Sequence, residues 1–326
     1  MKQYIIRRIL ISIVVLFGVS FLIYGILRCM PGDFVEQMTS GNPSITAEQK
    51  ELLRESYGLN GGVVEGYVGW VKNALKGDFG TSFLYAKPVT EVISSRMWTS
   101  FSLAAIAFVI ELLIAIPLGI LSANRQYTKT DYAIVFLALA GISLPSFFLA
   151  AVLQRIFAMG LGWLPLSGMV TARENFTGFR LTLDIGYHFI LPITVFVITG
   201  IGGWLRYVRT NMLEVLNADY IRTARAKGLA ERKVIYKHGF RNTLIPIVTF
   251  IGGTIPSLFA GAIIAEGIFS IPGLGKAALD AVSSKDLPFL MGYLMFMAVL
   301  TLVGTLISDI LYAVVDPRVR YNSEVF

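Results

Sequence analysis

The stretch ILISIVVLFGVSFLIYGIL, residues 9–27, holds 19 residues without a charge. At about 1.5 Å per residue a helix of this length crosses a hydrocarbon core of roughly 30 Å. Lys2, Arg7 and Arg8 precede it as basic residues precede a secretory signal. The apolar run is long for a signal, however, and Arg28-Cys29-Met30-Pro31 lacks the small residues of a cleavage site. It reads as an uncleaved first membrane span.

The rest of the chain agrees with that reading. Hydrophobic residues make up 55% of the 326, charged residues 15%, and mean hydropathy is +0.67. A soluble domain carries about a quarter charged residues. Further apolar runs near residues 101–123, 132–158, 188–205, 243–265 and 288–312 predict an all-α integral membrane protein of six transmembrane helices. An even number of crossings puts both termini on one side. Lys2, Arg7, Arg8, Arg125, Lys129, Arg318 and Arg320 mark that side as cytoplasmic. The net charge of +7 is therefore mostly topological and is not read as nucleic-acid binding. Cys29 is the single cysteine, which excludes an intrachain disulfide and any cysteine cluster.

Two connections exceed what a return into the bilayer needs. The external one, residues 28–98, reads as a folded cap on the outer mouth or on the membrane surface. Thr46-Ala47-Glu48-Gln49 has capping-box spacing, followed by a short helix that stops at Gly58. Val63, Val64, Tyr67, Trp70, Val71, Ala74 and Leu75 recur at helical spacing up to Gly77. Pro88 predicts a third short helix with Val89, Val92, Ile93 and Met97 on one face. Pro117, Pro145, Pro192, Pro246 and Pro256 interrupt the spans, where neighbouring helices can satisfy the freed backbone groups.

The cytoplasmic connection, residues 206–242, carries nine Lys and Arg against Glu214, Asp219 and Glu231. Read as a helix, its segment Asp219-Tyr220-Ile221-Arg222-Thr223-Ala224-Arg225-Ala226-Lys227-Gly228-Leu229 places Ile221, Ala224 and Gly228 on one face. Small residues one turn apart admit another protein close to the backbone, with a cationic flank beside them. A basic amphipathic helix lying on anionic headgroups is the alternative, but Ile221 is the one large apolar residue in its stripe. Docking of a soluble partner is the preferred reading.

Arg222-Thr223-Ala224-Arg225-Ala226-Lys227-Gly228, followed by His238-Gly239, Arg241-Asn242 and Leu244-Ile245-Pro246, resembles the signature cytoplasmic loop of binding-protein-dependent ABC importer permeases of the dipeptide/oligopeptide/nickel group. The likeness covers nearly the whole chain. It includes Arg7-Arg8, Met30-Pro31-Gly32-Asp33, Tyr57-Gly58-Leu59, Gly77-Asp78-Phe79-Gly80-Thr81-Ser82 and Ser143-Leu144-Pro145. It continues through Gly162-Trp163-Leu164-Pro165, Pro272-Gly273-Leu274-Gly275 and Asp316-Pro317-Arg318. The chain departs from the pattern at Arg222-Thr223-Ala224, a variant usual in the peptide group, and at Asn60-Gly61-Gly62, where the family often has Asp-x-Pro.

The resemblance implies a type I ABC importer permease fold in a bacterial or archaeal cell membrane, and a transporter subunit rather than an enzyme. The long external loop resembles the first of the two permeases. A second homologous permease, two ABC ATPase subunits, an extracytoplasmic substrate-binding protein and membrane lipid are the implied partners, with short peptides as cargo. Nickel, glutathione or another small solute is the alternative cargo, and an ion-coupled secondary transporter the alternative class. Residues 219–229, with Arg241 holding the loop, are the implied ATPase-coupling element. ATP and Mg belong to the partner ATPases, and no cofactor is expected on this chain. Gly273-Leu274-Gly275-Lys276 does not make a phosphate loop, because Ala277 stands where Ser or Thr is needed and Ser270 where the first glycine belongs. It reads as a tight external turn.

Glu111, in the middle of the second run, is costly in a membrane unless it faces the bundle interior, water or a partner. A hydrogen-bonded structural carboxyl is the preferred reading; a place beside the translocation path, shared with Ser143 and Pro145, is the other. Asp309, His188 and His238 read as structural, and Asn175-Phe176-Thr177 as a chance sequon.

Overall fold

The computed structural model describes residues 2–40 and 45–315. Asp316-Pro317-Arg318 and Arg320 lie outside the described residues. The elements in chain order are α1 (Lys2–Arg28), α2 (Phe34–Thr39), α3 (Ala47–Ser56), α4 (Val63–Ala74), α5 (Val89–Asn124), α6 (Lys129–Ser143) and α7 (Ser146–Leu153). They continue with α8 (Gly178–Leu216), α9 (Asp219–Ala226), α10 (Glu231–Lys233), α11 (Arg241–Ala260), α12 (Ile263–Ile268), α13 (Leu274–Ser284) and α14 (Leu287–Val315). Wider π-helical turns follow α7 at Gln154–Gly160 and α10 at Val234–Phe240. Among the described residues there is no strand, only an isolated bridge between Thr81 and Pro88.

Five helices are each long and apolar enough to cross a membrane. The expected third span is instead a pair, α6 and α7, bent by 96°. Proline disfavours helical backbone at the residue before it. Leu144 accordingly adopts φ −79° and ψ 125°, and α7 restarts after Pro145. The pair still carries the chain across. Arg209 near the end of α8 bonds Asp131 at the start of α6 and Ser122 at the end of α5, so those three ends share one side. Beyond α7, Gln154 donates to the carbonyls of Leu166 and Ile268 at the other.

Arg8 and Asp309, 2.9 Å apart, put the start of α1 and the end of α14 at the same side. Helices approach closely where side chains are small. Gly202 of α8 lies against the carbonyl of Ala138, and a methyl group at Gly252 of α11 would come to 2.8 Å from Cα of Ser308. The main core lines α5, α6, α8 and α11, with Ala115, Ile120, Ala138, Leu205, Val208, Met212 and Ile247 buried.

The external segment is folded. Thr46 and Gln49 form the expected reciprocal capping box at α3. Asp33 caps α2 and pairs with Arg54 of α3 at 2.6 Å. Ser82 donates to the buried Asp286, which also accepts from the N–H of Leu84 at 3.0 Å and of Phe289 at 3.2 Å. That carboxylate explains the Gly77–Ser82 motif structurally: it ties the loop to the start of α14. The third short helix expected at Pro88 does not exist as a separate piece. Pro88 begins α5, which runs unbroken for 36 residues into the second span. Ser94, Ser95 and Arg96 change the polarity of its surroundings but not its helical backbone, and Val89, Val92 and Ile93 pack on Leu274, Ala277 and Phe289.

Candidate functional site

The cytoplasmic loop starts where α8 ends at Leu216 and turns at Ala218 into α9. Ile221 and Ala224 are buried against Val234, with Val215 and Leu229 packed around them. The apolar face expected to receive a partner is therefore turned inward onto the loop itself. Two isolated apolar side chains gain more from a fixed neighbour in the same chain than from exposure to water between docking events. The exposed positions are Asp219, Tyr220, Arg222, Thr223, Arg225, Ala226, Lys227 and Gly228.

Gly228 also differs from its expected place on that face. Its φ of +73° disfavours a side chain with Cβ. Its N–H donates to the carbonyl of Arg225 at 2.9 Å, and Leu229 N–H reaches the carbonyl of Ala224 at 3.4 Å. These two bonds, with Leu229 against Ala224, are a Schellman stop to α9. Arg225 then grips Glu231 of α10 through Nη2 to Oε1 at 2.7 Å and Nε to Oε2 at 3.3 Å. The Arg225 hydrogen bond holds the Glu231 carboxyl below its usual range. Arg241 is exposed at the start of α11, and the ion pair between α9 and α10 is that of Arg225 and Glu231.

The loop is seated on the bundle. Thr243 donates to Sδ of Met212 at 3.1 Å, and Gly239 packs beside Leu216 and Met212. One to two turns before the loop, Arg209 clamps Asp131 with two bonds of 2.9 Å and donates to Ser122 at 3.0 Å. A bidentate guanidinium–carboxylate pair is directional as well as strong. The pair ties the ends of α5, α6 and α8 together next to the loop.

Within the bundle, Glu111 lies in the seam between α5 and α8, where Gly200 leaves the space its carboxyl occupies. Phe108 and Trp204 meet beside it at 5.4 Å between ring centres. Ser143 is exposed and donates to the carbonyl of Leu139 at 2.8 Å, next to Pro145 at the α6–α7 break. Glu111 thus packs against α8, while Ser143 and Pro145 stand at the break between α6 and α7. His188 bonds the carbonyl of Asp184 at 2.8 Å within its own helix.

Sequence reasoning missed Glu266. It is fully buried in α12 and accepts from Ser100 Oγ at 2.7 Å and from the N–H groups of Lys276 at 2.9 Å and Ala262 at 3.2 Å. Gly273 and Gly275 allow this: a Cβ on the first would strike the Glu266 carboxyl, and on the second the backbone of Ile263. Only the start of the Pro272–Gly275 run, expected as a tight turn, turns: Gly273 caps α13, and Leu274 and Gly275 are its first residues, folded around a carboxylate. The available signal was a lone acid at the edge of an apolar run, close to a glycine pair.

The comparisons with known proteins agree with this architecture. The family described as "Binding-protein-dependent transport system inner membrane component" matches residues 115–321, and its N-terminal counterpart matches residues 1–104. The chain is 42% identical over 322 residues to the oligopeptide transport system permease protein AppB of Bacillus subtilis, covering 98% of this chain and 100% of that one. It is 35% identical over 321 residues to the dipeptide transport system permease protein DppB of Lactococcus lactis, covering 98% and 100%. The inward-facing MetNI methionine ABC transporter shares its fold, with a TM-score of 0.53 at 14% identity over 70% of this chain and 97% of that one. The chain belongs to the binding-protein-dependent transport system inner membrane component family, as a multi-pass membrane permease.

Proposed function

We propose that this chain forms one half of the translocation path of an ATP-driven importer of short peptides. It pairs with a second homologous permease, two ATPase subunits on the cytoplasmic side and a substrate-binding protein outside. The peptide cargo is supported by relatives named for oligopeptide and dipeptide transport that match over their full length.

The observation that carries the coupling role is the construction of α9. Its apolar residues are packed down on Val234, its polar and cationic face is free, and its base is joined to the bundle through Met212, Thr243 and Arg209. A short rigid element of this kind passes on a partner's displacement instead of absorbing it. ATP and Mg are handled by the partner ATPases, whose nucleotide-driven closure would move α9 and alternate access to the path. The test is mass spectrometry of what co-purifies with the tagged chain from native membranes, with peptide uptake by the same preparation in liposomes. Recovery of a second permease and ATPases, with ATP-dependent uptake of short peptides, supports the proposal. A transport-competent chain recovered alone would overturn it, and uptake of nickel in place of peptides would overturn the cargo.

A further inference from the structure

The external helix α4 leans on the first membrane span. Tyr67 Oη lies 2.8 Å from Ser20 Oγ and donates to the carbonyl of Phe17 at 3.2 Å. Phe17 is eleven residues before Arg28, about 16 Å along the helix at 1.5 Å per residue. Tyr67 also packs edge-on against Phe21 at 5.2 Å and Tyr24 at 5.8 Å. Gly66 lies directly against Tyr24, and Arg28 donates to the carbonyl of Gly61 at 2.5 Å where the approach to α4 begins. Thus α4 begins level with the outer end of α1, and its tyrosine reaches down the apolar flank.

At 100° per residue, α4 divides into three stripes. Gly66, Tyr67, Trp70 and Ala74 form the partly buried stripe that faces α1. Glu65, Lys72 and Lys76 form a polar stripe opposite, and Asn73 is exposed at its edge towards Gly66. Between them stands an apolar ridge of Val64, Val68 and Leu75, exposed to 66%, 44% and 75%. Phe17 and Phe21 of α1, which meet Tyr67, are exposed apolar side chains as well. A helix confined to a water-filled cap would have no use for such a third stripe. One lying at a bilayer interface needs it, with Lys side chains free to reach the phosphates.

We propose that α4 is an interfacial helix, with Val64, Val68 and Leu75 embedded among the acyl chains of the outer leaflet and Lys72 at the headgroups. It holds the outer end of α1 at a fixed depth through Tyr67. The test places single cysteines at 64, 68, 72, 73 and 75 in a Cys29→Ser background. Each is nitroxide-labelled in the full-length chain, purified with its co-purifying subunits and placed in nanodiscs of phosphatidylethanolamine and phosphatidylglycerol. Power saturation with oxygen and with a water-soluble nickel chelate then reports surroundings. Positions 64, 68 and 75 should favour oxygen severalfold, and 72 and 73 should favour the chelate. Preference for the chelate at 64, 68 and 75 would overturn the proposal in favour of a solvated cap. Exclusion of both reagents there would overturn it in favour of a protein-covered face.

Discussion

The hydroxyl of Ser100 in α5 donates to Oε1 of Glu266 in α12 at 2.7 Å, joining residues 166 apart in sequence. The same hydroxyl accepts from Leu274 N–H at 2.8 Å, so the pair satisfies the first amides of α13 as well as Ala262 N–H. Glu266→Ala would leave buried N–H groups unpaired at about 1–3 kcal/mol each. Thermal unfolding of the purified chain should show a clearly lowered midpoint, with Glu266→Gln losing less because it keeps one acceptor oxygen. Equal midpoints for all three proteins would refute this role.

Arg209 and Asp131 form the second long-range tie, and Asp131 is only 2% exposed. Removing one partner of a buried pair leaves an uncompensated charge, at about 3–5 kcal/mol. Arg209→Ala should therefore destabilise more than Arg209→Ala combined with Asp131→Asn. Thermal midpoints of the single and double variants measure this, and strict additivity would remove the claim that the pair acts as a unit.

In α9 the two faces should respond differently to substitution. Ala226→Trp adds bulk to the free face and should abolish ATPase co-purification while leaving the midpoint unchanged. Ile221→Ala opens a cavity under α9, worth about 2–5 kcal/mol locally. It should raise amide exchange across 219–229 before it affects capture. If Ala226→Trp retains both ATPase capture and uptake, α9 is not the docking element.

The Arg225–Glu231 latch has a defined pH dependence. Its depressed carboxyl pKa makes its contribution complete above the unfolded glutamate value of about 4.3, and lost as pH falls through the lower folded value. Both side chains are about half exposed, so the contribution stays below about 1 kcal/mol. Amide exchange in α9, corrected for its intrinsic rate, should be flat from about pH 7 to 5 and rise below about pH 4. The acid-dependent rise should be absent in Glu231→Gln; its persistence there would assign it to another group.

Much of this protein is written locally. The charge-free run at 9–27, the Thr46 capping box, the glycine stop after α9 and the basic loop each depend on residues within a few positions of one another. Such features state their own backbone geometry or their own preference for lipid over water. The membrane class and the folded cap are therefore legible in the order of residues alone, whereas the stop at Gly228 reads there as part of a docking face. Even the break in the third span was present as Pro145, although its 96° bend was not.

Tertiary structure decided which side of each element is occupied. Ile221 and Ala224 look like a docking face until Val234 is found against them. Glu266 looks like a stray acid until Ser100 and the amides of 262 and 276 converge on it. Ser82 and Asp286 meet across 204 residues. Periodicity identifies the residues that will be buried, but not the element that buries them. That choice belongs to packing between distant segments, where the cost of an unpaired buried polar group favours the arrangement that gives Glu266, Asp286 and Asp131 their partners.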